Sequence, residues 1–179
     1  MIRAEVAPPP RFWNSARRRR YLAFAAAGLA FLSLSELGRW SERHALLVNA
    51  STSLPHWAFL IDREAAPRRG DFIFFDPPQT KLLERHFGTD LKPFGKIVEG
   101  VAGDRIETRG RLFLINGRPV ARAKPQTRRG EPLALGPTGI ITPGCYFVST
   151  PHPDSFDSRY AAIGWICRPR IVGVGEAIL

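Results

Sequence analysis

Leu112-Phe-Leu-Ile-Asn-Gly-Arg-Pro-Val120 is the stretch that predicts the fold most directly. Asn116-Gly117 stands between two short apolar runs, and Asn-Gly is the strongest short hairpin signal because both turn positions tolerate positive φ. Arg109-Gly110, just before this stretch, predicts another turn. The centre of the chain is therefore predicted to be antiparallel β structure.

The same pattern of short apolar runs separated by turn residues continues along the chain from residue 45 onward, without a sustained helical period. The predicted strands are Trp57 to Ile61, Phe72 to Phe75, Ile97 to Val101, Leu112 to Ile115, Tyr146 to Ser149 and Ile171 to Val174. A short helix is predicted at Thr80 to Phe87, and residues 123 to 143 are predicted to be rich in loops. The 16 Gly and 16 Pro residues agree with many turns. The fold class is mostly β, with short strands and long connections.

An apolar segment near the N-terminus predicts contact with a membrane. Arg17 to Arg20 precede fifteen residues without a charge, Tyr21 to Ser35, and Glu36 follows them. This length lies between an export signal and a full membrane span. An anchor, a signal removed after Ser33-x-Ser35 and a buried core helix all remain open, and the four flanking arginines make the core helix the weakest of the three.

These observations divide the chain into three parts. Residues 1–20 form a basic cytoplasmic N-terminus, residues 21–38 an anchor or export signal, and residues 45–179 an exported domain. Basic residues stay on the cytoplasmic side, so the domain after the segment is expected in the periplasm. The net charge of +10 does not predict nucleic-acid binding, because six of the arginines stand in the first twenty residues and the others form no stripe with aromatic residues.

The two cysteines, Cys145 and Cys167, lack the spacing of a metal site. A pair of free buried thiols is one interpretation. Because this part of the chain is expected in an oxidising compartment, we expect the two to form a disulfide.

Three groups of residues can carry chemistry, and the first is Asn49-Ala-Ser-Thr-Ser-Leu-Pro55. Pro55 can fix the loop and leave the Ser53 hydroxyl exposed, but a serine is a poor nucleophile until a base takes its proton. The Ser51 hydroxyl and the Ser53 N–H could together stabilise an oxyanion. Taken alone, such a cluster is usually an ordinary loop.

The second group is Phe94-Gly-Lys-Ile-Val-Glu-Gly-Val-Ala-Gly-Asp-Arg-Ile106. If the segment is extended, Lys96 shares an apolar face with Phe94 and Val98. Burial lowers a lysine pKa and makes the neutral amine available as a general base. The alternative is a lysine whose stem packs while its ammonium reaches water. In the third group, Asp154-Ser-Phe-Asp-Ser-Arg-Tyr160, Asp157 and Arg159 could form an ion pair that supports a site.

In this order and spacing, the three groups together resemble the type I signal peptidases. The resemblance runs from about residue 48 to the C-terminus, includes Arg69-Gly-Asp71, and is strongest for the conjugative-transfer branch. It implies a signal-peptidase-like (LexA-like) β domain, with Ser53 as nucleophile, Lys96 as general base, Ser51 as oxyanion donor and a required aspartate at Asp157. Glu99 and Ala102 differ from the Val and Pro that the family often has, and Ser53-Leu-Pro55 is one residue shorter than the housekeeping pattern.

The resemblance also implies the reaction and its partners. An acyl-enzyme would form on the serine, with no cofactor and no metal, and either water or another amine would resolve it. The expected substrate is an exported precursor such as a pro-pilin, processed by a monomer at the outer face of a bacterial inner membrane, without nucleic acid. A self-cleaving LexA-like repressor is a rival interpretation, but an export segment occupies the place of its DNA-binding region. A second rival is a non-catalytic, membrane-tethered β module of a secretion or pilus complex.

Overall fold

A computed structural model describes residues 15–48 and 53–178 of the chain. The predicted oxyanion donor Ser51 lies outside the described residues. The chain divides into two compact units, Met1–Glu42 and Arg43–Leu179.

One long helix, α1, spans Ser15–Arg43 and is 29 residues long, and all of it except its last residue belongs to the first unit. At 1.5 Å per residue its length is about 44 Å, more than the hydrocarbon core of a bilayer requires. The helix continues past the fifteen uncharged residues through Leu37 and Trp40, and Glu36 forms an ion pair with Arg39 one turn later. Its apolar side chains are exposed. By length and composition the helix could cross a membrane. The prediction of an N-terminal apolar helix is confirmed.

The second unit is built almost entirely from antiparallel strands. The strands are β1 (His44–Val48), β2 (Ala58–Asp62), β3 (Phe72–Phe75), β4 (Phe94–Gly100), β5 (Arg105–Arg109), β6 (Leu112–Ile115), β7 (Arg118–Arg122), β8 (Gly139–Ile140), β9 (Cys145–Ser149), β10 (Ile166–Cys167) and β11 (Ile171–Ala177). The described part of this unit also contains one short helix, α2 (Lys81–Phe87), and a 3₁₀ turn (Arg168–Arg170). The predicted mostly β fold class is confirmed.

The strands form two sheets. The larger has seven strands in the order β1-β2-β11-β3-β4-β9-β10, and the smaller has four in the order β7-β6-β5-β8. The buried carboxylate of Asp104 joins them: it accepts hydrogen bonds from the Val101 N–H, from Arg69 before β3 and from Asn116 in the β6–β7 turn. This joint fixes the end of β4, the strand that carries Lys96.

The predicted hairpin is present, and its turn uses the residues that identified it. Asn116 has φ 51° and Gly117 has φ 78°, so both turn positions lie in the left-handed region. The predicted helix is α2, and its N-cap Thr80 accepts a hydrogen bond from the Leu83 N–H. Its one fully buried side chain, Leu83, anchors the helix in the core.

The sequence did not predict β1, although four of its five residues are apolar, and it also missed β5, β8 and β10. In β5, exposed Arg105, Glu107 and Arg109 surround the buried Ile106. Because this strand contains no apolar run, only the turn at its end is visible in the sequence. Strands β8 and β10 are only two residues long each. They are defined by their pairing with β5 and β9, which a local sequence pattern does not show.

Candidate active site

An open cleft of about 640 Å³ in the second unit is lined by both Ser53 and Lys96. Its walls come from several parts of the chain, among them the end of β1, the loop before β2, the start of β4, the end of α2, and the loops around residues 124–133 and 152–156. The fold thus brings together two residues that are 43 positions apart in sequence (96 − 53). They are the serine and the lysine that the sequence analysis selected as nucleophile and general base.

Ser53 is held close to β4 by its neighbour Leu54. The Leu54 side chain is buried and belongs to the same core cluster as Phe74. Gly95 makes this approach possible, because a Cβ placed on it would lie 2.8 Å from Leu54 Cδ1 and 2.7 Å from Phe74 Cε1. A glycine directly before Lys96 therefore lets the Ser53 loop pack against the strand that carries the lysine.

Lys96 lies on an apolar face, as the strand alternation predicts. It pairs across β3–β4 with Ile73, and both Ile73 and Val98 are fully buried. The lysine itself is 5% exposed, and its Nζ donates to the Gly95 carbonyl at 3.0 Å. Burial is the main reason why the pKa of Lys96 is lowered to about 8.

The lowered pKa changes what the amine can do. At pH 7.5 a lysine with a pKa of 10.4 is neutral in less than about 1% of molecules, whereas one with a pKa near 8 is neutral in roughly a quarter. The neutral amine can accept a proton. Within residues 53–178, no hydrogen bond joins the side chains of Ser53 and Lys96. The two residues are related by lining the same cleft.

Asp157 and Arg159 form the ion pair that the sequence suggested. Arg159 Nε lies 2.8 Å from Asp157 Oδ1 and Nη2 lies 2.7 Å from Oδ2. Arg159 also donates to the carbonyls of Arg122, His152 and Ser155. One guanidinium thus ties the segment after β9 to the end of β7.

Asp157 does not reach the cleft. It is fully buried and is not among the residues that line the cavity. It acts on Lys96 through charge: Asp157 raises the pKa of the lysine and Arg159 lowers it, and both effects are smaller than that of burial. This geometry fits a positioning residue better than one that touches the substrate.

Ser155 is a site residue that the sequence analysis missed. It lines the cleft and is 4% exposed, and its hydroxyl has no hydrogen-bond partner in the described part of the chain. A buried hydroxyl without a partner is uncommon and calls for an explanation. The signal was present in Asp154-Ser-Phe-Asp-Ser-Arg-Tyr160, where the charged residues are more conspicuous than the serine.

Glu99, one of the departures from the family pattern, lies near this ion pair. It is half-buried, and burial raises the pKa of its carboxyl, while a hydrogen bond from the Ser149 hydroxyl has the opposite effect. The charge of Asp157 raises the pKa of Glu99 further. The replacement of an apolar residue by Glu99 therefore enlarges the polar group around Asp157.

A disulfide between Cys145 and Cys167 closes the segment that carries Ser155, Asp157 and Arg159. The two cysteines face each other across β9 and β10 and are 22 positions apart in sequence. The segment is therefore held at its base by a covalent bond and in its middle by the buried ion pair.

Comparison with known proteins identifies the family of the chain. A family model for signal peptidase, peptidase S26, matches residues 18–179. The chain belongs to this family. Membership makes it a serine peptidase of the signal-peptidase kind and confirms the family resemblance found in the sequence.

Two relatives of the chain carry names from conjugation. The chain is 30% identical to a "Probable conjugal transfer protein TraF" of Sinorhizobium fredii (strain NBRC 101917 / NGR234), over 92% of this chain and 94% of the relative. It is 28% identical to a "Conjugal transfer protein TraF" of Agrobacterium fabrum (strain C58 / ATCC 33970), over 63% of this chain and 71% of the relative. Among solved structures, a signal peptidase I from Enterococcus faecalis matches with a TM-score of 0.38 and 24% identity, over 62% of this chain and 97% of that one.

Proposed function

We propose that this protein is a membrane-associated endopeptidase that uses Ser53 as nucleophile and Lys96 as general base to process exported precursors during conjugal transfer. A pro-pilin subunit is the proposed substrate. The observation that carries the proposal is the burial of Lys96, which lowers its pKa to about 8 in the cleft that Ser53 also lines. The two relatives named as conjugal transfer proteins support the biological setting.

The reaction begins when neutral Lys96 takes the proton of the Ser53 hydroxyl. Oγ then attacks the carbonyl carbon of the substrate, and the Ser53 N–H with the Ser51 hydroxyl stabilises the oxyanion. Protonated Lys96 gives its proton to the leaving amine as the peptide C–N bond breaks. Attack by water or by a second amine on the acyl-enzyme releases the product, so the same dyad serves both hydrolysis and cyclisation.

Two further residues support the base in this scheme. The hydroxyl of Ser155, which has no hydrogen-bond partner among the described residues, lies in the same cleft. It can accept a hydrogen bond from the Lys96 amine, which would hold the amine towards Ser53. Asp157 keeps the Ser155 segment in place through Arg159, which donates to the Ser155 carbonyl. Asp157 is thus a positioning residue.

A non-catalytic β module is less consistent with the site. Moving a lysine from water to a position where its pKa is about 8 costs folding free energy, because the charged form is disfavoured. A scaffold gains nothing from this cost. A general base depends on it.

The test uses full-length protein in detergent, a pro-pilin as substrate and mass analysis of the products. Ser53→Ala, Lys96→Ala and Lys96→Arg should each reduce processing more than about 100-fold, the last because a guanidinium stays protonated. Ser41→Ala and Lys81→Ala, both at exposed positions, are the matched controls and should process normally. Activity within tenfold of the wild type in any of the three site variants would contradict the dyad. Cyclic and hydrolysed products differ by the mass of one water molecule.

A further inference from the structure

We propose that Lys124 and Arg128, held side by side by Asp154, form a second binding site in the cleft, which takes a carboxylate of the substrate polypeptide away from the bond that is cut. The inference rests on the proposed peptidase function of the cleft and adds a preference for one class of charged group. All three side chains line the cleft.

One carboxylate holds both cations in place. Asp154 Oδ2 accepts a hydrogen bond from Arg128 Nε at 2.7 Å, and Asp154 Oδ1 accepts one from Lys124 Nζ. The hydrogen bond from Lys124 is the main reason why the pKa of Asp154 is lowered, so the carboxylate stays ionised. The Asp154 side chain is 20% exposed, compared with 39% for Lys124 and 73% for Arg128. Because a guanidinium has five N–H donors and an ammonium three, both cations keep donors for a ligand.

The cluster leaves a positive charge on the cleft wall. Two cations share one carboxylate, so Lys124, Arg128 and Asp154 together carry one excess positive charge. Another ion pair on the wall, between Lys92 and Asp90, is balanced. A loop that needed only to be closed would require a single cation for Asp154. The second cation supplies a charge that attracts a carboxylate, and a guanidinium can bind both oxygens of a carboxylate at once.

The backbone of Lys124 is fixed without help from a substrate. Its N–H donates to the hydroxyl of the buried Tyr160 at 3.0 Å, and its carbonyl accepts from the Arg111 guanidinium. Lys124 is therefore held on both sides of its Cα, and its side chain starts from a defined position.

The turn that carries Arg128 is fixed in a similar way. The Thr127 N–H donates to the Glu131 carbonyl at 2.9 Å. The Glu131 carboxylate accepts from Arg85 Nε at 2.7 Å and contacts His86 Nε2 with its other oxygen, so it ties this turn to α2. Because both segments are ordered before a substrate arrives, binding costs little conformational entropy.

The site lies on a different part of the wall from the catalytic lysine. Lys96 is on β4, whereas Lys124 and Arg128 belong to the loop after β7. Asp154 directly precedes Ser155, so the site borders the reaction centre without being part of it. The bound carboxylate therefore belongs to a group a few residues along the substrate, not to the two residues that the scissile bond joins. Two sources have this chemistry: an acidic side chain and the C-terminal carboxylate of the substrate.

The experiment uses full-length protein in detergent and two sets of quenched peptides that contain the cleaved sequence. In the first set the C-terminus is amidated, and each of four positions on either side of the cut carries Glu or Gln. In the second set the peptides end two to five residues after the cut, with a free or an amidated C-terminus. At one position or one end, the wild type should prefer the carboxylate to its amide by roughly fivefold to tenfold in kcat/KM. The preference should fall to within about twofold in about 0.5 M salt, because the site is partly exposed.

Three variants make the result specific. Arg128→Gln leaves the cluster without net charge, so kcat/KM for the carboxylate peptides should fall to within about twofold of that for their amides in the same variant. Arg128→Lys keeps the charge and should retain most of the preference. Arg129→Gln is the matched control, because it removes the same charge from the next residue, which is not among those that line the cleft, and it should leave the preference unchanged.

The two sources and the two proposals are separated by the same data. A preference for Glu at one position assigns an acidic side chain as the ligand, and a preference for the free C-terminus assigns the chain end. No carboxylate preference in the wild type, a preference that survives in Arg128→Gln, or an equal loss of it in Arg129→Gln would overturn the site. Cleavage by Ser53→Ala would instead overturn the proposed function, so the two failures are distinguishable.

Discussion

The guanidinium of Arg159 and the carboxylate of Asp157 form a two-bonded ion pair that is almost completely removed from solvent, with 3% and 0% of the two residues exposed. Arg159 also donates to three backbone carbonyls. Removing one member of such a buried pair costs folding free energy, because the charge of the other member stays buried without an opposite charge beside it. It fixes the segment that brings Ser155 to the cleft.

Asp157→Asn should destabilise the domain by about 3–5 kcal/mol, since Arg159 would stay buried without a counter-charge. Removal of Asp157 also removes a charge that raises the pKa of Lys96, while Arg159 continues to lower it. Any remaining activity should therefore have its rise shifted to lower pH. Thermal unfolding and the pH profile of processing measure the two effects separately.

The double variant Asp157→Asn/Arg159→Gln is the control for this prediction. It removes both charges, so it should be less destabilised than Asp157→Asn alone. A loss of activity in Asp157→Asn with normal stability and an unshifted profile would indicate a direct catalytic contact instead.

The processing rate should rise with pH through about 8, because only neutral Lys96 can take the Ser53 proton. Single-turnover rates between pH 6 and 10 would show the rise if chemistry limits the rate. The Lys96→Arg protein provides the background at each pH. A rate that stays flat from pH 6 to 9 under these conditions would argue against Lys96 as the base.

Lys96→Met should abolish processing and stabilise the fold. Lowering a lysine pKa from 10.5 to about 8 costs about 3 kcal/mol in folding free energy while the unfolded chain keeps its proton. The cost is fully present below pH 8 and is relieved as the pH rises towards 10.5, because between these values only the unfolded state is protonated. The advantage of Lys96→Met over wild type should accordingly be largest at neutral pH and shrink above pH 8. Thermal unfolding in detergent at pH 7 and pH 10 tests this prediction. If the stability gained by Lys96→Met does not depend on pH, burial does not lower the pKa of Lys96.

Much of the fold follows from local sequence. Asn116-Gly117 identified its hairpin because few residue pairs accept two positive φ values, and the runs Phe72 to Phe75 and Leu112 to Ile115 match β3 and β6 residue for residue. The order in which β11 lies between β2 and β3 could not be predicted in this way. It depends on contacts between residues more than 80 positions apart, about which a local pattern carries no information.

The site shows the same division. Lys96 could be found because strand alternation places it among apolar residues. The roles of Gly95 and Glu131 could not be predicted. The missing Cβ of Gly95 matters only because Leu54 lies against it, and the carboxylate of Glu131 matters only because Arg85 does. Arg128 and Asp154 likewise belong to separate segments that meet only in the folded chain.

Gly95→Ala should reduce processing by roughly 100-fold without unfolding the domain. The new Cβ would lie within 3 Å of Leu54 and Phe74 side chains, and the Leu54 loop can yield more easily than the core strand. Displacement of Ser53 by about 1 Å is enough for a loss of this size. Gly38→Ala, where a Cβ meets nothing within 4 Å, is the matched control in assays of processing and of thermal unfolding. Normal activity in Gly95→Ala would show that the serine does not depend on this close approach.

The oxidation state of the two cysteines should report the compartment in which the domain folds. Four arginines before the apolar stretch of α1 should keep the N-terminus in the cytoplasm and deliver the chain after Arg43 to the periplasm. There Cys145 and Cys167 can be oxidised, and closing a segment of this length contributes about 3 kcal/mol in the chain-entropy model. Whole cells treated with an alkylating agent before lysis should therefore yield full-length protein that gains no alkyl group until it is reduced.

A variant that lacks residues 1–42 is the matched control, because it keeps the whole second unit and loses the export segment. It should stay in the reducing cytoplasm and take up two alkyl groups without reduction. Two alkyl groups on both proteins would contradict the export of the domain. If neither protein gains an alkyl group, the cysteines pair regardless of compartment. The orientation is then determined with a periplasm-active reporter fused after Leu179. An inactive reporter would also contradict export.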